Sequence, residues 1–277
     1  MMDETLPAWL PAAEVLVTVK TYPLPLTSFG EVVCTAGLLS SGHWVRIYPI
    51  PFRAEEYKLF SKYQWIRLDL KKKSSDFRPE TYSPAGKYEL LGFLDTKDRW
   101  RRRKSVVLGN VYTSLPNLLE DSHGEKRVSL ATLKPSQVID FSWKEVEGDW
   151  PENWKKRLRQ MNLFCDLDSK SIVRKVPYEF YYTFRTEDDS STHRLMITDW
   201  EVGALYWNCL ARHGGNETAA LNDVRAKYYH SFCGKRDLFF FLGTNYESHY
   251  RRFGNPFMIV GVFYPPRATD SQLTLDL

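Results

Sequence analysis

The sequence lacks most of the features that would give it a quick chemical identity. Four cysteines, Cys34, Cys165, Cys209 and Cys233, are scattered over 277 residues, with no CxxC pair and no zinc-ligand spacing. A disulfide framework is not expected in a chain of this size, and reduced, mostly buried thiols point to the cytoplasm. No apolar run approaches the ~20 residues needed to span a bilayer; runs such as Leu238–Leu242 are strand-sized. The N-terminus, MMDETLPAWLPAAEVLVTV, is acidic where a secretory signal is basic, and prolines interrupt it. A membrane partner is therefore not expected. There is no P-loop and no GxGxxG following a strand, which argues against those nucleotide-binding classes. His193, His213, His230 and His249 form neither HxxxH nor HExxH, so neither a metal nor a cofactor is expected.

Aromatic residues are abundant. They make up 15% of the chain (9 Trp, 16 Tyr, 16 Phe), and rings favour the pleated, half-buried surface of a sheet. Residues 14–20 alternate, with Val15, Val17 and Val19 on one face, as a strand does. Residues 31–38 and 43–50 flank Ser40-Ser41-Gly42 and read as a hairpin. Residues 63–70, 88–94 and 137–143 are further strands, 71–87 a polar loop and 113–120 a short helix. Asp149 with Glu152 reads as a capping box for a helix to about Phe164. Residues 178–185 and 193–198 form a second hairpin. Thr198 with Glu201 opens a helix to Arg212, and Asn216 caps one to about Phe232. Strands 237–242 and 257–263 follow. The class expected is α+β: a β-rich barrel or sheet in the first half, then helices and closing strands. One unit over 1–277 is favoured; the alternative divides it near residue 148, into 1–148 and 149–277.

The net charge is only +4, from 38 basic and 34 acidic residues, but the cations are clustered. Lys71, Lys72 and Lys73 form one run. Arg101, Arg102, Arg103 and Lys104 form a second, beside Trp100. Lys155, Lys156, Arg157 and Arg159 form a third, beside Trp154. Such runs neutralise phosphates and release counterions, and neighbouring rings can stack on exposed bases; the competing reading is a set of solvated faces. Trp44, Arg46 and Tyr48 share one strand face, with Arg53 just beyond, and that face is either a base-binding platform or a packed surface. Asp199 and Glu201 are two carboxylates that could hold a divalent cation, although a helix N-terminus also explains them. Cys34 and His43 lie on paired strands, where the register could bring a nucleophile and base together; a small buried Cys34 is the alternative.

Three stretches, VVCTAGLLSSGHWVRIYPIPFR at 32–53, VPYEFYYTF with MITDWEVGALYW within 176–207, and DLFFFLGT with FMIVGVFYPP within 237–266, together resemble an uncharacterised bacterial family of mobile or defence-type gene neighbourhoods. The resemblance assigns no catalytic residue. The barrel-plus-helices pattern also resembles, at the level of fold, the PUA/ASCH/EVE class of nucleic-acid and modified-base binders. The function expected is nucleic-acid binding, DNA or RNA, in DNA modification or phage defence. The alternatives are a hydrolase or nuclease acting on nucleic acid or nucleotides, and an interaction subunit with a protein partner.

Overall fold

The computed structural model describes residues 6–22, 24–26, 30–51, 60–152, 155, 174–187, 189–252 and 254–267. The chain is α+β, built on two six-stranded sheets. The first contains β1 (Trp9–Lys20), β2 (Leu24–Leu26), β3 (Gly30–Leu39), β4 (Trp44–Pro51), β5 (Gln64–Lys72) and β6 (Thr81–Phe93). Its order is β1-β5-β6-β4-β3-β2, and β1 also pairs with β3. That extra pairing closes β1, β3, β4, β6 and β5 into a five-stranded ring. All its pairings are antiparallel except β4 with β6, where Arg46 and Ile47 oppose Thr81 and Tyr82. A closed five-stranded barrel in this order, with β2 as an appendage on β3, has the connectivity of the OB-fold.

Alternation along each strand divides the residues between the barrel's two faces. Val45 and Ile47 point inward, onto Val15, Val17, Ile66, Leu68 and Tyr82. Gly37 sits where β3 crosses β1, and a Cβ there would fall 2.2 Å from the Leu16 carbonyl oxygen, so only glycine fits. The polar loop expected at 71–87 is present but shorter, at 73–80: β5 runs to Lys72, and β6 begins at the buried Thr81 and is largely exposed from Pro84 on.

The second sheet follows α1 (Lys97–Val107) and α2 (Leu115–His123). It contains β7 (Leu130–Leu133), β8 (Gln137–Glu145), β9 (Tyr178–Thr186), β10 (Asp189–Ile197), β11 (Phe239–Thr244) and β12 (Phe257–Phe263). The order is β7-β11-β12-β10-β9-β8, and residue 148 falls between β8 and β9, which pair with each other. Among the described residues this sheet is accompanied by α3 (Trp200–Arg212), α4 (Glu217–Arg225), α5 (Phe232–Lys235) and α6 (Tyr246–Tyr250). A π-helical turn, Ala226–Ser231, joins α4 to α5, so the helical stretch expected to end at about Phe232 continues to Lys235. The Tyr228 carbonyl in that turn accepts the Tyr182 hydroxyl at 2.6 Å. The helix from Asp149 lies largely outside the described residues. Among the described residues no helix is long and apolar enough to cross a membrane.

β11 is the strand through which the two sheets meet. All six of its residues are buried, as in strands covered on both faces. Phe240 and Leu242 pack among Phe180, Tyr182, Tyr206 and Tyr228 on the helical side. Phe239 and Phe241 pack with Val19, Ala36 and Leu38 of the barrel, joined by Val260 and Phe263. The barrel's outer face over β1 and β3 is thus sealed by the second sheet. Phe241→Ala should lower stability by about 3–5 kcal/mol. Because the ring touches both sheets, urea unfolding followed by circular dichroism should show a single transition moved to lower urea, not a second transition split from the first.

Candidate functional site

With Val45 and Ile47 turned inward, Trp44, Arg46 and Tyr48 project outward together, as the alternation requires, and they face the second sheet. Trp44 stands edge-on to Phe241 with ring centroids 5.4 Å apart, so it serves packing. Arg46 is only 3% exposed. Its guanidinium donates to Thr81 Oγ1 at 3.1 Å, Ser129 Oγ at 2.8 Å and the Ser129 carbonyl at 3.0 Å. Glu80 accepts from the Ser129 amide and hydroxyl at 2.9 and 2.6 Å. Arg46 therefore staples the barrel to the chain entering β7. Tyr48, one pleat further on, reaches a cleft.

That cleft, about 460 Å³ in volume, lies between the two sheets. The barrel supplies Ala36 of β3, Arg46 and Tyr48 of β4, Tyr22 of the β1–β2 connection and Arg78 of the β5–β6 loop; the second sheet supplies Met196, Gly243, Met258 and Val260; Trp150, Lys175 and Tyr246 contribute from the connections. Tyr22 forms the back. Its ring stacks on Trp200 at 5.3 Å, and its hydroxyl donates to the Arg174 carbonyl at 2.6 Å and accepts from Trp207 Nε1 at 3.1 Å. Gly203 makes room, since a Cβ there would come within 2.6 Å of the Tyr22 ring.

Arg78 at the cleft is paired, while Lys175 and Glu179 also line it. Arg78 donates Nε and Nη2 to the two Asp76 oxygens at 2.9 and 2.6 Å, and Nη1 to the Thr244 carbonyl at 3.0 Å. Burial alone would raise the Asp76 carboxyl, but the Arg78 guanidinium outweighs it and holds the pKa below the ordinary carboxylate value. Thr244 is fixed from its other side by His249, which is buried; Nδ1 lies 3.1 Å from Thr244 Oγ1 and Nε2 2.9 Å from the Ser122 carbonyl. Burial, with Arg78 nearby, depresses the His249 pKa.

Asp199 and Glu201 meet a cation that sequence spacing could not reveal. Lys62, in the turn before β5, places Nζ 2.9 Å from both Asp199 oxygens and 3.2 Å from Glu201 Oε2. Burial lowers the Lys62 pKa, but the two carboxylates more than offset it and hold the ammonium charged. Asp199 is also the N-cap of α3, accepting the Glu201 amide at 3.2 Å. The expected cap, Thr198, is displaced by one residue, and its Oγ1 is buried without a hydrogen-bond partner. Lys62 occupies the space between the carboxylates that a cation would need. Among the described residues no group of three His, Cys, Asp or Glu side chains is arranged to hold a metal.

The basic runs divide. On β5 and just beyond, Lys71 is exposed, Lys72 donates to the Pro79 carbonyl, and Lys73 lies 4.5 Å from the ring of Tyr48, which itself lines the cleft. The Arg101–Lys104 run is helical, so it does not present one patch. Arg101 and Arg102 are exposed, whereas Arg103 is buried 3.9 Å from the Tyr63 ring and donates Nε to the Leu94 carbonyl at 2.7 Å. A left-handed turn at Asp98, Arg99 and Trp100 (φ 47°, 53° and 68°) precedes it and sets Trp100 against Phe263 at 5.5 Å. None of these four lines the cleft. Lys155 is paired with Asp149 and with Glu152 at 2.9 Å. Arg53, Trp154, Lys156, Arg157 and Arg159 lie outside the described residues, as does the Cys34 side chain. The expectation that register could join Cys34 to His43 is corrected. Thr35 opposes Ile47, and His43 sits in the hairpin turn beside Leu39, roughly 15 Å further along at the ~3.3 Å rise of a strand.

A family model described as a domain of unknown function, DUF8757, matches residues 111–277. The chain belongs to this family. A second model, a domain of unknown function designated DUF8758, matches residues 11–109, the stretch that forms the barrel; the DUF8757 stretch holds the second sheet and its helices. No curated protein matches. Among solved structures, a chain in a replication protein A heterotrimer bound to single-stranded DNA is similar at 12% identity and a TM-score of 0.40, over 99% of this chain and 52% of that one. This DUF8757 chain thus spans about half the length of that neighbour.

Lys62→Met should destabilise the protein by about 3–5 kcal/mol, because it leaves the buried Asp199 carboxyl without its counter-ion, to be either protonated or charged and unpaired. The double variant with Asp199→Asn should recover much of that loss in a denaturant-based cycle. For His249 the folded pKa lies below the unfolded value near 6.5, so the stability it contributes is present above that value and is lost as the pH falls through the folded pKa. Thermal melts from pH 7 to pH 5 should show a falling midpoint, with a shallower fall for His249→Asn.

Proposed function

We propose that this protein binds single-stranded nucleic acid across the mouth of the cleft. One observation carries the reading: the cleft opens on the β3–β4 face and the two adjoining loops of a closed five-stranded barrel, the surface that barrels of this connectivity use for oligonucleotides. Rings suited to stacking surround it. Tyr48 and Tyr246 line it, and Tyr250 stacks parallel to Tyr246 (centroids 6.2 Å apart, 3° between planes), with Tyr246 41% and Tyr250 66% exposed. Lys73, 4.5 Å from the Tyr48 ring, and the exposed Arg252, two residues after Tyr250, are cations available for phosphates. Of the residues expected from sequence, Arg46 and Lys73 belong to this grip, Arg46 by positioning the barrel. The setting we propose, DNA modification or phage defence, rests on the sequence resemblance alone.

The other readings draw less support. Lys62 already satisfies the carboxylates a nuclease would use. The exposed Trp9 and Phe93 that could dock a protein partner pair with Lys71 and Gln64, at opposite ends of β5, so they do not form one patch.

Fluorescence anisotropy with labelled single- and double-stranded DNA and RNA over a salt series tests the proposal. Single strands should bind more tightly than duplexes, with a log–log salt slope of about −0.7 per phosphate contacted. Tyr48→Ala and Tyr246→Ala should each weaken binding about 5- to 150-fold, the equivalent of ~1–3 kcal/mol per stacked base. Absence of binding at low salt would overturn the proposal.

A further inference from the structure

We infer that the nucleic-acid site continues out of the cleft onto the second sheet, where Arg194, held over the Tyr181 ring, takes a further nucleotide of the same single strand; the inference rests on the nucleic-acid reading above. On β9, Phe180, Tyr182 and Phe184 turn to the helical core, so Tyr181 and Thr183 turn to the side that faces the barrel. The barrel covers that side over β7, β11 and β12, where Leu130, Phe241 and Val260 pack with Val19, Ala36 and Leu38. Over β9 and β10 the same side carries the partly exposed Tyr181 and the exposed Arg194.

Register makes this surface continuous with the cleft. Gly243 opposes Met258, Ile197 opposes Ile259 and so sets Met196 beside Met258, and Met196 opposes Tyr181. Gly243, Met258 and Met196 all line the cleft, as does Glu179, whose carboxylate accepts the Tyr181 hydroxyl at 2.6 Å. Tyr181 is thus the next residue outward in a row that begins inside the cleft. At the ~4.8 Å spacing of neighbouring strands it lies about 14 Å from Gly243, a few nucleotides along a strand that enters beside Tyr246.

The chemistry of this surface suits a phosphate-bearing chain. The Arg194 guanidinium lies 3.5 Å from the Tyr181 ring centroid. The ring holds it at the surface, where its donors can reach a phosphate and its plane can meet a base. Lys144, opposite Glu179 on β8, and Arg185, two residues beyond Thr183, are exposed and share the face by alternation. The carboxylates there are engaged: Glu179 accepts from Tyr181, and Asp140 is paired with Arg225 at 2.8 Å. The cations outnumber the carboxylates, so the complement of this face is a polyanion.

The test measures anisotropy of a labelled single-stranded oligonucleotide of about twelve residues, within the ~4–16 nucleotides that such barrels cover, on the full chain over a salt series. Arg194→Gln should make the log–log salt slope shallower by about 0.7, one phosphate contact, and weaken binding about five- to ten-fold at ~50 mM salt. Its melting temperature should be unchanged, because the residue is exposed. Tyr246→Ala removes a ring and no charge, and should weaken binding without changing the slope. Tyr181→Leu releases the guanidinium but keeps its charge, and should weaken binding about two- to five-fold, with Tyr181→Phe restoring the affinity. If the oligonucleotide binds but Arg194→Gln changes neither slope nor affinity, the extension onto the second sheet is overturned and the grip at the cleft mouth survives. If the oligonucleotide does not bind even at low salt, both fall.

Discussion

The contact between β11 and the outer face of the barrel is the constraint from which the rest of the structure follows. Phe239 and Phe241 turn toward Val19, Ala36 and Leu38, while Phe240 and Leu242 turn toward the helices. One six-residue strand therefore belongs to two cores. Because side chains alternate with a period of two, a slip of one residue would exchange the two sets. The register of β11 against β12 and β7 thus fixes where the barrel sits, how much of its β3–β4 face is sealed, and how much is left as a cleft.

Three buried polar connections keep that placement unique: Arg46 with Ser129, Arg78 with Asp76 and the Thr244 carbonyl, and Lys62 with Asp199. Each runs from a barrel strand or loop to the second sheet or to the start of α3. Buried ion pairs contribute little net stability, since desolvation offsets most of their attraction. What they contribute here is geometry. A cation without its carboxylate, or a guanidinium without its carbonyl, would be stranded in any other arrangement of the two sheets.

The rings divide by the same logic. Aromatics at alternate strand positions pack on both faces of the second sheet and form the core. Tyr48 lies within β4 and Tyr246 and Tyr250 on the short helix α6; Tyr48 and Tyr246 line the cleft, and Tyr250 is exposed. A high aromatic content is thus consistent with a structural and a binding role in one chain.

Much of this was legible in the sequence, because it depends on local rules. Alternation at 14–20 and 43–50 predicted the strands and placed Trp44, Arg46 and Tyr48 on one face. Asn216 marked its helix start. Other features depended on residues distant in sequence and were settled only by the tertiary structure. That the Trp44 face would meet Phe241 rather than solvent was decided by β11, nearly two hundred residues away. That Arg103 would be buried while Arg101 and Arg102 stayed exposed followed from a helix, which points adjacent residues in different directions. Lys62 carried no mark of its partnership with Asp199, since an ion pair across 137 positions has no periodicity to detect. Local periodicity sets which face a side chain takes; only long-range pairing sets what that face meets, and the cleft exists only where two such faces fail to close.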